Sequence, residues 1–348
     1  MDPATPTRVL QLYLCMFAFH LHEAGNVFCK SIRVPTIKLY NNSVASLMAV
    51  AHDTARDPRK DNPTDAKVGH LLQATYAELQ RYESVPNRRE PVTPAMLCFM
   101  AKLGARSPVN SLTAALSDWA VVAISAGLRC SEWAQSSARA ADPRYAELNQ
   151  FGDPVAFTLR DVRVETFDFE RLEGAACISV QDTRIHKMWI KFRTQKNGDN
   201  GEECLFVRNQ NPDGFCCVRA MMSIIARFVR LRHSRDYRTP LALYQSEPLG
   251  TVALITARDV EPFVRRVAAQ VYHLHPGKHS KELQRWSTHS FRVGACILLH
   301  GMDFTPTQIK FLLRWKSDAF MVYLRNTAVL ARQQHRAMDA AAAMPNFF

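Results

Sequence analysis

The chain has 348 residues, 47% of them hydrophobic and 22% charged, a globular composition long enough for two or three domains with buried cores. Forty-four Lys and Arg against 32 Asp and Glu leave a formal charge of +12. That excess favours a polyanionic partner or an anionic surface and fits poorly with a metal-dependent nuclease, which needs paired carboxylates. Nine scattered cysteines, none spaced C-x-x-C, argue against a zinc or redox motif and read as reduced intracellular thiols.

Residues 1–85 carry helical periodicity, as in Val9, Leu12, Leu14, Met16 and Phe17 and again in Val68, Leu71, Leu72, Tyr76 and Leu79. They read as a small helical domain. The apolar stretch 9–19 is interrupted by Gln11 and closes on His20 and His22, which argues against a signal peptide. No run reaches ~18 apolar residues, so no segment is expected to span a membrane. Residues 84–94 combine prolines with the basic pair Arg88 and Arg89 and no apolar period, the composition of an exposed connector, with the linker placed at 86–93.

Thr93 followed by Pro94 has the form of a helix N-cap and an N1 proline. Residues 112–135 form an apolar stretch suited to a buried helix that runs into Gly127. Between 155 and 208 the pattern changes: 157–167, 176–181, 188–193 and 204–208 are short β-branched or aromatic segments, and Asn197-Gly198 and Asn200-Gly201 mark a hairpin tip. From Phe215 onward helical periodicity returns, apart from loops near 240–250 and 273–279; His273, His275 and His279 read as loop histidines. Between Arg258 and Arg336 stand thirteen Lys and Arg against five acids, so most of the positive charge travels with the C-terminal helices, as a phosphate-tracking surface requires.

Several polar groups lie in apolar or structured settings. Arg129 and Glu132 stand in AGLRCSE, Lys196 in RTQKNGDNGE, His289 and Arg292 in H-S-F-R, and Trp315 and Tyr323 bracket WKSDAFMVY. In order and approximate spacing this set resembles the tyrosine recombinase family, the phage integrase and Cre-like enzymes, over about residues 94–325. The resemblance implies a mainly α fold with a small antiparallel β-sheet, organised as a two-domain clamp around duplex DNA. It assigns 1–85 to a helical core-binding domain, 94–326 to a catalytic domain, and 327–348 to a tail that docks on a neighbouring protomer.

These residue types suit phosphoryl transfer. Arg129 and Arg292 supply bidentate donors that stay ionised and match the charge developing on a phosphodiester under attack. Tyr323, an ordinary phenol with pKa near ~10, needs a cationic field and a proton acceptor to act as nucleophile, and His289 can take or share its proton. Lys196, at a hairpin turn and so preferred over the mid-strand Lys191, can protonate the leaving 5′ oxygen. Trp315 can only donate through its indole N–H, and Glu132 holds Arg129. Arg88, Arg89, Lys310, Arg314, Lys316 and Arg325 are the candidate DNA contacts.

The implied activity is site-specific cutting and rejoining of DNA through a 3′-phosphotyrosyl intermediate. It needs no cofactor or metal, uses four protomers on two duplexes, and takes place inside the cell in a nucleus or nucleoid. Two alternatives share the residue set: a type IB topoisomerase-like strand passer, and a DNA-binding regulator that has lost cleavage. The second is prompted by the spacing of eight residues from Trp315 to Tyr323, one shorter than is usual in the family, which implies a slightly displaced nucleophile.

Overall fold

Helix α5 (Leu112–Ala126) organises the larger part of the molecule. Its sequence, LTAALSDWAVVAISA, places small side chains all round the helix, so neighbours approach on every side and nearly the whole helix is buried. The computed structural model describes residues 7–25, 32–51, 57–61, 67–83, 89–178, 182–193, 200–232, 238–247, 250–315 and 318–324. The chain divides into two compact units, Met1–Asn87 and Arg88–Phe348. The architecture is mainly α-helical with a small antiparallel sheet. Among the described residues no helix is long and apolar enough to cross a membrane.

The first unit contains α1 (Thr7–Glu23), α2 (Val34–Ala51) and α3 (His70–Arg81). Leu14, Ala18 and Leu21 of α1, Ile37 of α2, and Leu72, Tyr76 and Leu79 of α3 form its core. The inward stripe of α1 therefore starts at Leu14, whereas Leu12 and Met16, expected on the same face, are exposed. Buried Asn41 donates its Nδ2 to the Leu14 carbonyl at 3.2 Å and to the Tyr76 hydroxyl at 2.8 Å, tying α2 to α1 and α3.

The second unit begins with a docked strap. Residues 89–93, expected to be exposed, pack onto the body: Val92 is buried and donates its N–H to the Ser290 carbonyl at 3.0 Å, and Trp286 Nε1 donates to the Pro91 carbonyl at 3.1 Å. The apolar Val92 and the free backbone groups of the strap explain the difference, since both gain by pairing. Next comes α4 (Pro94–Arg106), where Thr93 Oγ1 accepts from the Met96 N–H, followed by α5.

Four strands follow: β1 (Val162–Thr166), β2 (Arg171–Glu173), β3 (Ile185–Phe192) and β4 (Glu202–Val207), in the order β2-β1-β3-β4 with every pair antiparallel. On β3, Met188, Ile190 and Phe192 alternate into the core, with Ile190 opposite Cys204. The expected strand at 176–181 does not form where it is described: Gly174–Ile178 is a 3-10 turn, and Cys177 fills the core behind β1. Likewise the first part of 157–167 is a 3-10 turn at Leu159–Asp161.

The remaining elements are α6 (Cys217–Arg232), β5 (Leu243–Gln245), β6 (Val252–Leu254), α7 (Ala257–Val271), α8 (Ser280–Leu283), α9 (Ser290–Gly301), α10 (Pro306–Leu312) and α11 (Met321–Leu324). The antiparallel pair β5–β6 occupies what reads as a loop near 240–250. Strand β5 lies within that stretch and β6 just beyond it, each three residues long and too short for alternation to show. Helices α4, α6 and α9 surround α5, so the C-terminal end of α5 opens where α9 begins.

Candidate active site

The site starts where α5 stops. Gly127 takes the left-handed conformation, φ +57°, and a Cβ there would stand 2.6 Å from Leu313 Cδ2, so only glycine closes the helix against this neighbour. The chain then turns through Arg129 into the 3-10 turn Cys130–Glu132. Glu132 is buried and curls back: Oε2 accepts the Arg129 N–H at 2.8 Å and Oε1 accepts Arg129 Nη1 at 3.1 Å. One carboxylate thus fixes both the backbone and the guanidinium of Arg129.

His289 is the N-cap of α9 rather than a residue within it, and Arg292 lies in the first turn. That turn, Ser290 to Val293, is buried, and Arg292 goes in with it and is 5% exposed. A buried guanidinium is costly unless its donors are used. Arg292 Nη1 donates to the Gly127 carbonyl at 2.6 Å and Nη2 to the Leu313 carbonyl at 3.4 Å, so it caps the ends of α5 and α10 together, where helix carbonyls favour a cation. Its guanidinium carbon lies 4.8 Å from the centre of the Trp315 ring. Burial, and next the Arg129 charge, push its pKa down to about 9, which still leaves it protonated at neutral pH.

After α10 the backbone reverses at Arg314, φ +56°. The Trp315 N–H returns to the Lys310 carbonyl at 2.9 Å and the Arg314 N–H to the Phe311 carbonyl at 3.2 Å, the bonds of a helix end that normally places glycine at the reversal. An L side chain in this conformation costs roughly 1–2 kcal/mol. Trp315 and Tyr323 pack against a small cluster of Ala295, Cys296, Ile309, Leu313, Phe320 and Leu324, which carries α11 back to α9.

That return brings the Tyr323 hydroxyl to 2.7 Å from His289 Nε2, with the Tyr323 ring centroid 6.1 Å from that of Trp315. The short spacing from Trp315 therefore does not turn the phenol away from the histidine. Burial raises the phenol pKa while the Arg292 charge lowers it, and the net shift is upward. The pKa of His289 is lowered, first by burial and then by Arg292, Arg89 and Arg129, so its imidazole is neutral at pH 7 and has a ring nitrogen able to accept a proton. Trp315 Nε1 is buried without a hydrogen-bond partner among the described residues.

Arg129, Glu132, His289, Arg292, Trp315 and Tyr323 thus meet at one place, although they come from positions almost two hundred residues apart. Of the surface cations expected to contact DNA, Arg89 is exposed, donates to the Gln284 carbonyl at 2.6 Å, and is near enough to lower the His289 pKa. Lys310 is engaged with Asp318 at 2.9 Å. Arg314 is the correction: it is an interior residue, 4% exposed, because the left-handed turn aims its side chain inward. Lys191 lies exposed on β3 opposite Glu203. Lys196, Arg88, Lys316, Arg325 and the tail 327–348 lie outside the described residues.

Three guanidiniums, those of Arg129, Arg292 and Arg314, surround the single carboxylate of Glu132, a local charge of +2 while His289 is neutral. Such a centre is arranged to receive an anion, not to bind a cation.

No protein-family model matches the chain, and no curated protein matches it. Among solved structures, the Tn1549 transposon integrase in complex with transposon right end DNA is 14% identical, with a TM-score of 0.45 over 96% of this chain and 85% of that one. The same integrase in complex with circular intermediate DNA is 15% identical, with a TM-score of 0.40 over 92% of this chain and 81% of that one.

Proposed function

We propose that the chain is a site-specific DNA recombinase that cuts and rejoins DNA through a tyrosyl phosphodiester on Tyr323. The observation that carries this reading is the 2.7 Å contact between the Tyr323 hydroxyl and His289 Nε2, set beside the buried Arg292. A phenol held by a proton acceptor next to a centre of charge +2 has what a nucleophile needs to attack a phosphodiester.

In the first step the Tyr323 oxygen bonds to the scissile phosphorus and its proton passes to His289 Nε2. The bond from phosphorus to the 5′ oxygen breaks, and that oxygen takes a proton from Lys196 and leaves as a hydroxyl. A phosphodiester carries one negative charge and its five-coordinate transition state close to two, which the +2 centre matches best at the moment of transfer. The indole N–H of Trp315, otherwise unbonded, has a phosphate oxygen as its natural acceptor. In the second step a 5′ hydroxyl from the partner strand attacks the tyrosyl phosphorus and gives its proton back to Lys196, while the bond from phosphorus to the Tyr323 oxygen breaks and His289 returns the proton to that oxygen. The phosphotyrosyl bond conserves the energy of the bond it replaces, so rejoining needs no ATP.

Exchange between two duplexes requires four protomers, with the tail 327–348 as the segment that docks on a neighbour. A strand passer of the type IB topoisomerase kind shares the chemistry on a single duplex, and assays of recombination and of supercoil relaxation separate the two. The deciding experiment traps the adduct on nicked suicide duplexes, from which the 5′ fragment is lost after cleavage. A covalent protein–DNA band that disappears in Tyr323→Phe supports the reading; binding without a band in the wild-type chain overturns it in favour of a regulator.

A further inference from the structure

In the tyrosyl-transfer steps Arg314 supplies only its charge, from the interior, and its surroundings give it a second task. Its side chain is 1% exposed, so it does not reach DNA at the surface. Nη1 donates to the Ala126 carbonyl at 3.0 Å and lies 3.4 Å from Cys204 Sγ, while Nη2 stands 3.7 Å from Glu132 Oε2. The guanidinium carbon sits 3.4 Å over the centre of the Phe192 ring. Each contact leads into the site by a different route. Ala126 is the last residue of α5, Glu132 holds Arg129, and Phe192 and Cys204 belong to β3 and β4, the strands that precede and follow Lys196 in the sequence.

Backbone geometry says that the guanidinium, and not the turn, is what position 314 requires. The residue holds φ +56°, where an L side chain is strained and glycine is at ease. If the position served only to reverse the chain after α10, glycine would fill it better and no cation would need to be buried. The shape also matters: a planar cation can stack its face on Phe192 while its edge donates in several directions, which a lysine ammonium cannot do.

We propose that Arg314 is a positioning residue for tyrosyl transfer: it fixes the Glu132 carboxylate, through it the Arg129 guanidinium, and it ties Phe192 of β3 and Cys204 of β4 to that same carboxylate. Glu132 then holds Arg129 by hydrogen bonds on one side and faces Arg314 as an ion pair at 3.7 Å on the other, so two cations in place of one act on its orientation. The inference rests on the tyrosyl-transfer reading above.

Arg314→Gly tests it in the full-length protein, because the substitution relieves the backbone while deleting the guanidinium. The assay follows single-turnover adduct formation on nicked suicide duplexes tiled across the DNA adjoining the chain's own coding sequence, with DNA affinity and circular dichroism measured alongside. The expected result is a folded protein with unchanged DNA affinity whose adduct forms about 100-fold more slowly, the scale of loss for a reacting group misplaced by an ångström. Millimolar guanidinium ion, which fits the vacated space, restores part of the rate. Combining Arg314→Gly with Glu132→Gln slows the reaction no further than the worse single change, since both act through one carboxylate.

An adduct rate within about threefold of wild type in Arg314→Gly overturns the proposal, as do losses that multiply in the double variant. If Arg314→Gly does not fold, Arg314→Lys, which keeps the charge and the stem, decides by the same rate and the same double-variant comparison. A wild-type chain that forms no adduct on any duplex removes the tyrosyl-transfer reading and this inference with it. A wild-type chain that reacts beside an equally fast Arg314→Gly removes only the inference.

Discussion

Arg292 Nη1 lies 2.6 Å from the carbonyl oxygen of Gly127, a bond across 165 positions that joins the first turn of α9 to the last turn of α5. The guanidinium therefore both closes the interior and supplies charge to the site. Arg292→Ala should abolish adduct formation while weakening DNA binding tenfold or less, since one charged contact among many is about 1.4 kcal/mol. The two carbonyls left unpaired should cost about 1–3 kcal/mol of stability. Gel-shift titration, adduct trapping and urea melts measure the three effects separately. A large affinity loss with cleavage retained would contradict the assignment.

Gly127→Ala should be harmful although it adds only a methyl group. The left-handed conformation alone costs about 1–2 kcal/mol with a Cβ present. The added carbon would also stand 2.6 Å from Leu313 Cδ2, so the fully buried Leu313 side chain has to shift within its cluster. The expected outcome is a lowered denaturation midpoint together with slowed adduct formation, and an unchanged midpoint would show that Leu313 yields freely.

Acid should switch the reaction off. The pKa of His289 is lowered below the ordinary value of about 6.5 by burial and by the arginines around it. The imidazole is therefore neutral and able to accept the Tyr323 proton at pH 7, and takes up its own proton only further into acid. Single-turnover rates should stay level as the pH falls from 7.5 toward about 6.5 and drop below that. Because the unfolded chain binds this proton more readily than the folded one, stability should decline over the same acid window. A rate that rises on acidification would mean that His289 acts as a cation.

Lys196→Ala should slow cleavage by about 10²–10⁴, the usual worth of a general acid. The defect should vanish on a substrate whose 5′ bridging oxygen is replaced by sulfur, because a thiolate departs without a proton. If both substrates are slowed equally, the lysine acts by holding DNA and not by donating a proton.

Legibility in the sequence followed the range of the interactions. The Thr93 cap and the Gly127 stop depend on residues within a few positions, and both stand where their local chemistry puts them. Arg129, His289, Arg292 and Tyr323 were recognisable as a set by order and spacing, but their convergence depends on the small side chains of α5, which let α9 approach. Arg314 was misread because a run containing Lys310, Arg314 and Lys316 looks like a solvated basic face. What draws it inside are partners at Ala126 and Cys204, 188 and 110 positions away. The β5–β6 pair and the docked strap escaped for a related reason: three residues do not display a period, and a proline-rich connector shows no sign of the surface it will lie against.

The strap has a mechanical consequence. Val92 is bonded to the carbonyl of Ser290, the residue next to His289, and α9 comes so close that a Cβ on Gly294 would stand 2.3 Å from the Val92 oxygen. The strap is held first at Arg89 and Glu90, which bond to the carbonyls of Gln284 and Arg285, and then at Val92, one peptide away from the imidazole that faces the phenol. The fastening of the strap and the imidazole thus share one short stretch of backbone, so a change that frees Val92 also releases a restraint beside His289.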